Sequence, residues 1–164
     1  MRVVLASLNP AIERLLVVRR NRPGTVHRLE RSETLAGGKG VNVARVLRQL
    51  GTADFALPSA GPSVIEPIDP LLVGPLGGPT GDLQAALLAA EGLSQSTVRI
   101  SGWTRTNEVL VDESAPDDAT VYNAAGPELD AAELAAVRDA ALAALPGAAA
   151  LVCTGSLPPG VPPE

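Results

Sequence analysis

Three glycines, a lysine and an asparagine crowd into eight residues of this chain, Gly37-Gly38-Lys39-Gly40-Val41-Asn42-Val43-Ala44. A lysine ammonium is a point charge suited to anions, and an asparagine amide offers both a donor and an acceptor. Glycines, lacking a Cβ, let a ligand come close to backbone N–H groups. The chemistry these residue types support is the holding of an anionic or hydroxyl-rich molecule. The stretch is not a Walker loop, because Gly40 follows Lys39 where a Ser or Thr would hold magnesium, and its glycine spacing is not G-x-G-x-x-G. On residue chemistry alone, a Gly-rich turn capping a helix and a ligand cradle explain the composition equally well.

The surrounding pattern says what must position these groups. Val43, Val46, Leu47 and Leu50 fall on one face at helical spacing and Gly51 follows as a stop, so the glycines sit at a helix N-terminus, with its unpaired N–H groups and positive dipole end. Upstream, Val3 to Leu8 reads as a short buried strand ended by Asn9-Pro10, which places Glu13 just beyond the strand's C-terminal end. In an open parallel sheet that edge is where ligands bind. Leu15 to Val18 and the more polar His27 to Arg31 suggest a hairpin-like excursion with one wet face. Arg19, Arg20, Arg22, Arg28 and Arg31 are its solvated side, since no aromatics interleave with them.

Four prolines, at 58, 62, 67 and 70, predict a loop from Thr52 to Val73, with Leu71 to Leu76 available to add a strand. A second glycine turn, Gly77-Gly78-Pro79-Thr80-Gly81-Asp82, leads into a helix with Leu83, Leu87 and Leu88 that Gly92 closes. Residues 97–124 alternate instead, with strands expected at 98–100, 108–112 and 119–123. Asp130 is placed to cap a helix with Glu133 three residues on, and Leu134, Val137, Ala141 and Leu145 form its apolar stripe. Ala149 to Cys153 is expected to be a buried strand. Strands alternating with helices, twice interrupted by alternating segments, indicate an α/β domain.

Composition narrows the partners. The 164 residues include one Phe, one Trp and one Tyr, so the core must be built from Ala, Val and Leu. A formal charge of -5 argues against nucleic acid or an anionic membrane as the main partner. The start, Met1 to Leu8, is too short an apolar run for a signal peptide, and residues 131–150 contain Glu133, Arg138 and Asp139, which excludes a membrane span. A cytoplasmic location is expected. The lone Cys153 reads as a buried strand residue rather than a nucleophile, and no metal-ligand spacing stands out.

Gly37 to Ala44 resembles the sugar-binding signature of the ribokinase-like (PfkB) carbohydrate kinases, and its lysine is similar to the hexose-phosphate branch, 1-phosphofructokinase and tagatose-6-phosphate kinase. Leu8 to Glu13 resembles that family's opening motif, with Glu13 where the family has an aspartate. Thr104-Arg105-Thr106-Asn107 is similar to the segment whose arginine holds the substrate's phosphate, and Thr154-Gly155-Ser156-Leu157-Pro158-Pro159-Gly160 resembles a further family loop. The motifs occur in family order over nearly the whole chain, the Pro-rich segment about 53–75 excepted.

The resemblance implies a mostly parallel sheet flanked by helices, with a small β lid from segments about 14–34 and 97–124. It implies substrate-binding roles for Glu13, Gly37, Gly38, Lys39, Asn42, Arg105 and Ser156. It also implies ATP-dependent phosphorylation of a sugar phosphate, fructose 1-phosphate foremost, with ATP and Mg2+ as the complete enzyme's cofactors. The family's Gly-Ala-Gly-Asp motif, which carries the anion hole and catalytic base, does not occur here. The chain is therefore expected to represent the N-terminal half, with no catalytic residue of its own, inactive and poorly soluble or oligomeric alone. Its expected partners are a sugar phosphate, a second copy joined through the lid, or the family's C-terminal half. A non-catalytic sugar-phosphate-binding module and a fragment without function are the alternatives.

Overall fold

The computed structural model describes residues 1–52, 67–115 and 117–162. Four parallel strands, β1 (Arg2–Ala6), β4 (Asp69–Gly77), β5 (Ser94–Ile100) and β8 (Ala150–Cys153), form one sheet in the order β5-β4-β1-β8. A second sheet, ordered β3-β2-β6-β7, contains β2 (Ala11–Val18), β3 (Arg31–Gly37), β6 (Arg105–Asp112) and β7 (Ala119–Tyr122). Here β2 and β6 run parallel while the outer pairs are antiparallel. This second sheet, also four-stranded, takes in most of the segments expected to form the lid and is the lid sheet. The fold is thus a mixed α/β one, with a mostly parallel sheet flanked by helices.

Three helices complete it: α1 (Lys39–Thr52), α2 (Gly78–Ala90) and α3 (Ala131–Ala143). Val3 and Leu5 of β1 and Leu72 of β4 pack with Val41 and Ala44 of α1 and Leu88 of α2. On the other face, Ala6 and Cys153 look toward Leu134, Val137 and Ala141 of α3. The core is built from small aliphatics, as the composition requires. The capping box at Asp130 and Glu133 is formed on both sides. No helix among the described residues is long and apolar enough to cross a membrane.

Several local expectations are corrected. The buried face of α1 runs through Val41 and Ala44, whereas Val46 is exposed. A small Ala44 meets the sheet where a period count favoured the larger valine. Residues 97–100 belong to β5 at the edge of the parallel sheet, not to the lid sheet, whose second share begins at Arg105. An edge strand with one wet face alternates in the same way as a lid strand, which explains the misassignment.

Of the expected Pro-rich loop, residues 53–66 lie outside the described residues. From Asp69 onward the chain is strand, with Pro70 and Pro75 inside it. Pro70 sits at the strand's start, where a missing donor costs least. Cys153 lies in a strand, as read, but is exposed rather than buried. β8 is the edge of its sheet, and Leu151 beside it is 45% exposed.

Candidate functional site

The β1 C-terminal end, the start of α1 and the lid meet at a cleft of about 770 Å³. Register does much of the assembly. Pairing of β2 with β6 sets Ala11 opposite Arg105 and Glu13 opposite Asn107, so the lid delivers a carboxylate, a guanidinium and an amide to the same end. From α1 come Lys39 and Asn42, and from the chain after β8 comes Ser156. Lys39 and Asn42 are exposed in the first turn, where the helix N-terminus adds its partial positive charge.

Six of the seven sequence-predicted residues line the cleft: Glu13, Gly38, Lys39, Asn42, Arg105 and Ser156. Gly37 does not. It is buried beneath the Glu13 side chain, so closely that a Cβ there would lie 2.4 Å from Glu13 Cγ. Its part is to make room for the carboxylate, whose Oε1 accepts from the Gly38 N–H at 3.4 Å. Gly38 itself has φ +100, a left-handed conformation that glycine adopts without strain. Behind this wall, Gln84 of α2 is fully buried and its Nε2 donates to the Gly37 carbonyl at 3.1 Å.

Across the cleft Arg105 ties three distant segments together. Nη1 donates to the Ala124 carbonyl at 2.8 Å and Nη2 to the Asn9 carbonyl at 2.9 Å, with a longer 3.5 Å contact to Ser156 Oγ. These acceptors are neutral, and its buried Nε has no partner among the described residues. Burial pushes the guanidinium pKa down, opposed by the nearby negative Glu13. A cation in that state favours an anion in the space it faces.

Sequence reasoning missed three contributors. Asn9, taken as a turn residue, is buried and donates through Nδ2 to the Ala125 carbonyl at 2.9 Å and Ser156 Oγ at 3.1 Å. Asn107 Oδ1 accepts from the Ala124 N–H at 3.1 Å. Asn123 lines the cleft beside them. The available signal was the recurrence of asparagine at strand ends, but only the fold shows that these ends converge.

A parallel α/β sheet, a second β sheet over its strand ends, and a cleft with two cations, one carboxylate and several amides make a site whose chemistry suits an anionic, hydroxyl-rich molecule. The family model described as pfkB family carbohydrate kinase matches residues 3–164, and the chain belongs to that family. It is 33% identical over 162 residues to the 1-phosphofructokinase of Xanthomonas campestris, covering 99% of this chain and 46% of that protein. To the ATP-dependent 6-phosphofructokinase isozyme 2 of Mycobacterium tuberculosis it is 32% identical over 160 residues, covering 98% and 42%.

Among solved structures, phosphofructokinase-2 from Escherichia coli in complex with fructose-6-phosphate superposes with a TM-score of 0.82 at 27% identity. That match covers 98% of this chain and 47% of the solved one. The chain spans less than half the length of the relatives it matches.

Proposed function

We propose that this chain is the acceptor-binding half of a sugar-phosphate kinase whose substrate is fructose 1-phosphate and whose product is fructose 1,6-bisphosphate, and that it is inactive alone. The observation that carries this reading is Arg105: a half-buried guanidinium with neutral acceptors, facing a cleft it shares with Lys39 and a helix N-terminus. Its planar fork suits two phosphate oxygens at once, and Lys39 adds a second charge. Glu13 accepts from sugar hydroxyls, and Asn42 and Ser156 meet the remainder.

ATP supplies the transferred phosphoryl group in this reading, with Mg2+ in attendance. Among the described residues no group of three or more His, Cys, Asp or Glu side chains converges, and Gly-Ala-Gly-Asp does not occur in the sequence. The work of this chain's residues is to bind and orient the acceptor, so that a hydroxyl of the sugar is held for attack. Positioning without the base and the phosphoryl clamp leaves out the main sources of phosphoryl-transfer catalysis. The open β8 edge, with Leu151 and Cys153 exposed, supports pairing with the family's C-terminal half.

Thermal unfolding with millimolar fructose 1-phosphate, and in parallel fructose 6-phosphate, tests the reading. A ligand at a hundred times its dissociation constant adds roughly 2.7 kcal/mol of stability. The expected result is a raised midpoint with the 1-phosphate ester, lost in Arg105→Ala, and no phosphoryl transfer from ATP. Absence of any shift removes the binding role, and turnover by the chain alone removes the claim of inactivity.

A further inference from the structure

Asn42 has an unusual neighbour. Arg45, one turn further along α1, donates from Nη1 to Asn42 Oδ1 at 3.2 Å. Its other donors are committed elsewhere: Nε to Glu91 Oε2 at 2.8 Å, Nη2 to Glu91 Oε1 at 2.6 Å and to the Ala36 carbonyl at 2.8 Å. Glu91 is the C-cap residue of α2, and its backbone carbonyl accepts from Arg48 Nη1. The guanidinium is thus held between two helices and the end of a lid strand before it reaches the asparagine.

A guanidinium has donors only. It therefore selects one of the two amide orientations open to Asn42: the oxygen turns to Arg45 and the NH2 group, on the opposite arm of the planar amide, is left for the cleft that Asn42 lines. We infer that Arg45 is a positioning residue, held by Glu91 and Ala36, that fixes Asn42 as a hydrogen-bond donor toward the cleft. This rests on the reading of the cleft as a sugar-phosphate site. It names the ligand atom Asn42 meets: an acceptor, a hydroxyl or phosphate oxygen used through its lone pair. Lys39 and Asn42 then present donors from the first turn of α1, and Glu13 is the acceptor facing them.

The consequence is quantitative. Without Arg45 the Asn42 side chain is released among the two χ1 wells open in a helix and two amide orientations, about four states of which one is competent. Apparent affinity falls by the competent fraction, so Arg45→Met is expected to weaken binding about fourfold. Asn42→Asp makes the opposite trade, giving Arg45 a stronger acceptor while removing the donor from the cleft.

Two measurements decide it. Melting midpoints of the unmodified protein, Asn42→Asp, Arg45→Met and the double variant are compared without ligand. The aspartate is expected to be better tolerated with Arg45 present than in the Arg45→Met background. Dissociation constants for fructose 1-phosphate and fructose 6-phosphate follow by calorimetric titration well below those midpoints. Arg45→Met is expected to stay folded and bind about fourfold more weakly, and Asn42→Asp to lose binding by about tenfold or more, the loss of a charge-assisted or neutral donor to the ligand, while remaining folded.

A folded Arg45→Met with unchanged affinity reduces Arg45 to a strut between helices and overturns the inference. Additive midpoints, with no coupling between positions 42 and 45, overturn it as well. If the unmodified protein binds neither ester, the function proposed above fails and the donor role falls with it, whereas coupled midpoints would still show Arg45 holding Asn42. The two failures are therefore distinguishable.

Discussion

The two walls of the cleft are built on opposite plans. The wall at α1 is made from neighbours in sequence, Gly37 to Arg45, and backed by Gln84 and Glu91 from α2. The facing wall gathers Asn9, Arg105, Ala124, Ala125 and Ser156 from four stretches of chain, joined by hydrogen bonds from the Asn9 and Arg105 side chains to main-chain carbonyls and to Ser156 Oγ. Its polar groups are also incompletely used: Asn9 Oδ1 and Arg105 Nε are buried without partners among the described residues. A buried polar atom left unpaired costs free energy; behind the first wall Gln84 Oε1 is likewise unpartnered among the described residues, but Gln84 does not line the cleft, whereas Asn9 and Arg105 do, so the second wall keeps its unspent hydrogen-bonding capacity beside the cleft.

The contrast is tested most severely at Arg105. Replacement by alanine removes the group that spans the far wall and its charge toward the ligand, and a hydrogen bond to a charged group contributes about 1.5–3 kcal/mol. Affinity for fructose 1-phosphate is expected to fall about a hundredfold by titration, with Arg105→Lys intermediate because it keeps the charge and loses the fork. Equal affinities for the lysine and alanine variants would mean that the arginine is structural only.

Two glycines, one in each wall, separate the two plans further. A Cβ on Gly126 would meet Asn9 Oδ1 at 2.3 Å, and its φ of +99 is costly for any other residue. Gly126→Ala is expected to lower stability by about 2 kcal/mol, since Asn9 is buried and tied to Ser156. At Gly37 the atom in the way is the flexible Glu13 side chain, which can swing aside. Gly37→Ala should therefore cost about 1 kcal/mol or less in denaturant unfolding while weakening ligand binding about tenfold, the value of one charged hydrogen bond. Affinity in Gly37→Ala with Glu13→Ala no lower than in Glu13→Ala alone would tie the loss to displaced carboxylate rather than to a disturbed backbone.

The same difference explains what could be read from the chain before it was folded. The near wall is one contiguous segment whose glycines, lysine and asparagine announce a helix start, and α1 begins there at Lys39, although Gly37 closes β3 and lies beneath Glu13 rather than in the cleft. Arg105 and Ser156 were legible only through resemblance, because nothing local in Thr104-Arg105-Thr106 or Gly155-Ser156 says that the two meet. Asn9 illustrates the limit: its partners are 116 and 147 residues away, and a turn asparagine looks the same whether it satisfies its own loop or braces a distant one. β5 was misplaced for a related reason. Its sequence Ser94 to Ile100 is half wet, and wetness does not tell which sheet's edge a strand occupies.

The smallest expected effect lies in the backing of the near wall and is read through pH. The Arg45 and Glu91 side chains are each 28% exposed. The hydrogen bond from Arg45 holds the Glu91 carboxyl below its ordinary value, and Arg45 is raised in turn. A carboxylate whose folded pKa is depressed contributes stability that is fully present above the unfolded value, about 4.3, and is lost as pH falls through the lower folded value. Stability is therefore expected to decline below about pH 4.3, and Glu91→Gln to flatten that limb while leaving the slope above it unchanged. Glu133, lowered by its hydrogen bonds from Ser101, and Asp112, lowered by Ser114, keep part of the acid limb in any variant. The informative quantity is accordingly the difference between two stability curves. Arg45→Met should reproduce most of the flattening, since the Arg45 hydrogen bond is the largest cause of the shift and only the weaker pull of Arg48 remains to lower the Glu91 carboxyl. If neither variant changes the limb, the pair holds the wall by geometry without net electrostatic stabilisation, which is common for ion pairs this exposed.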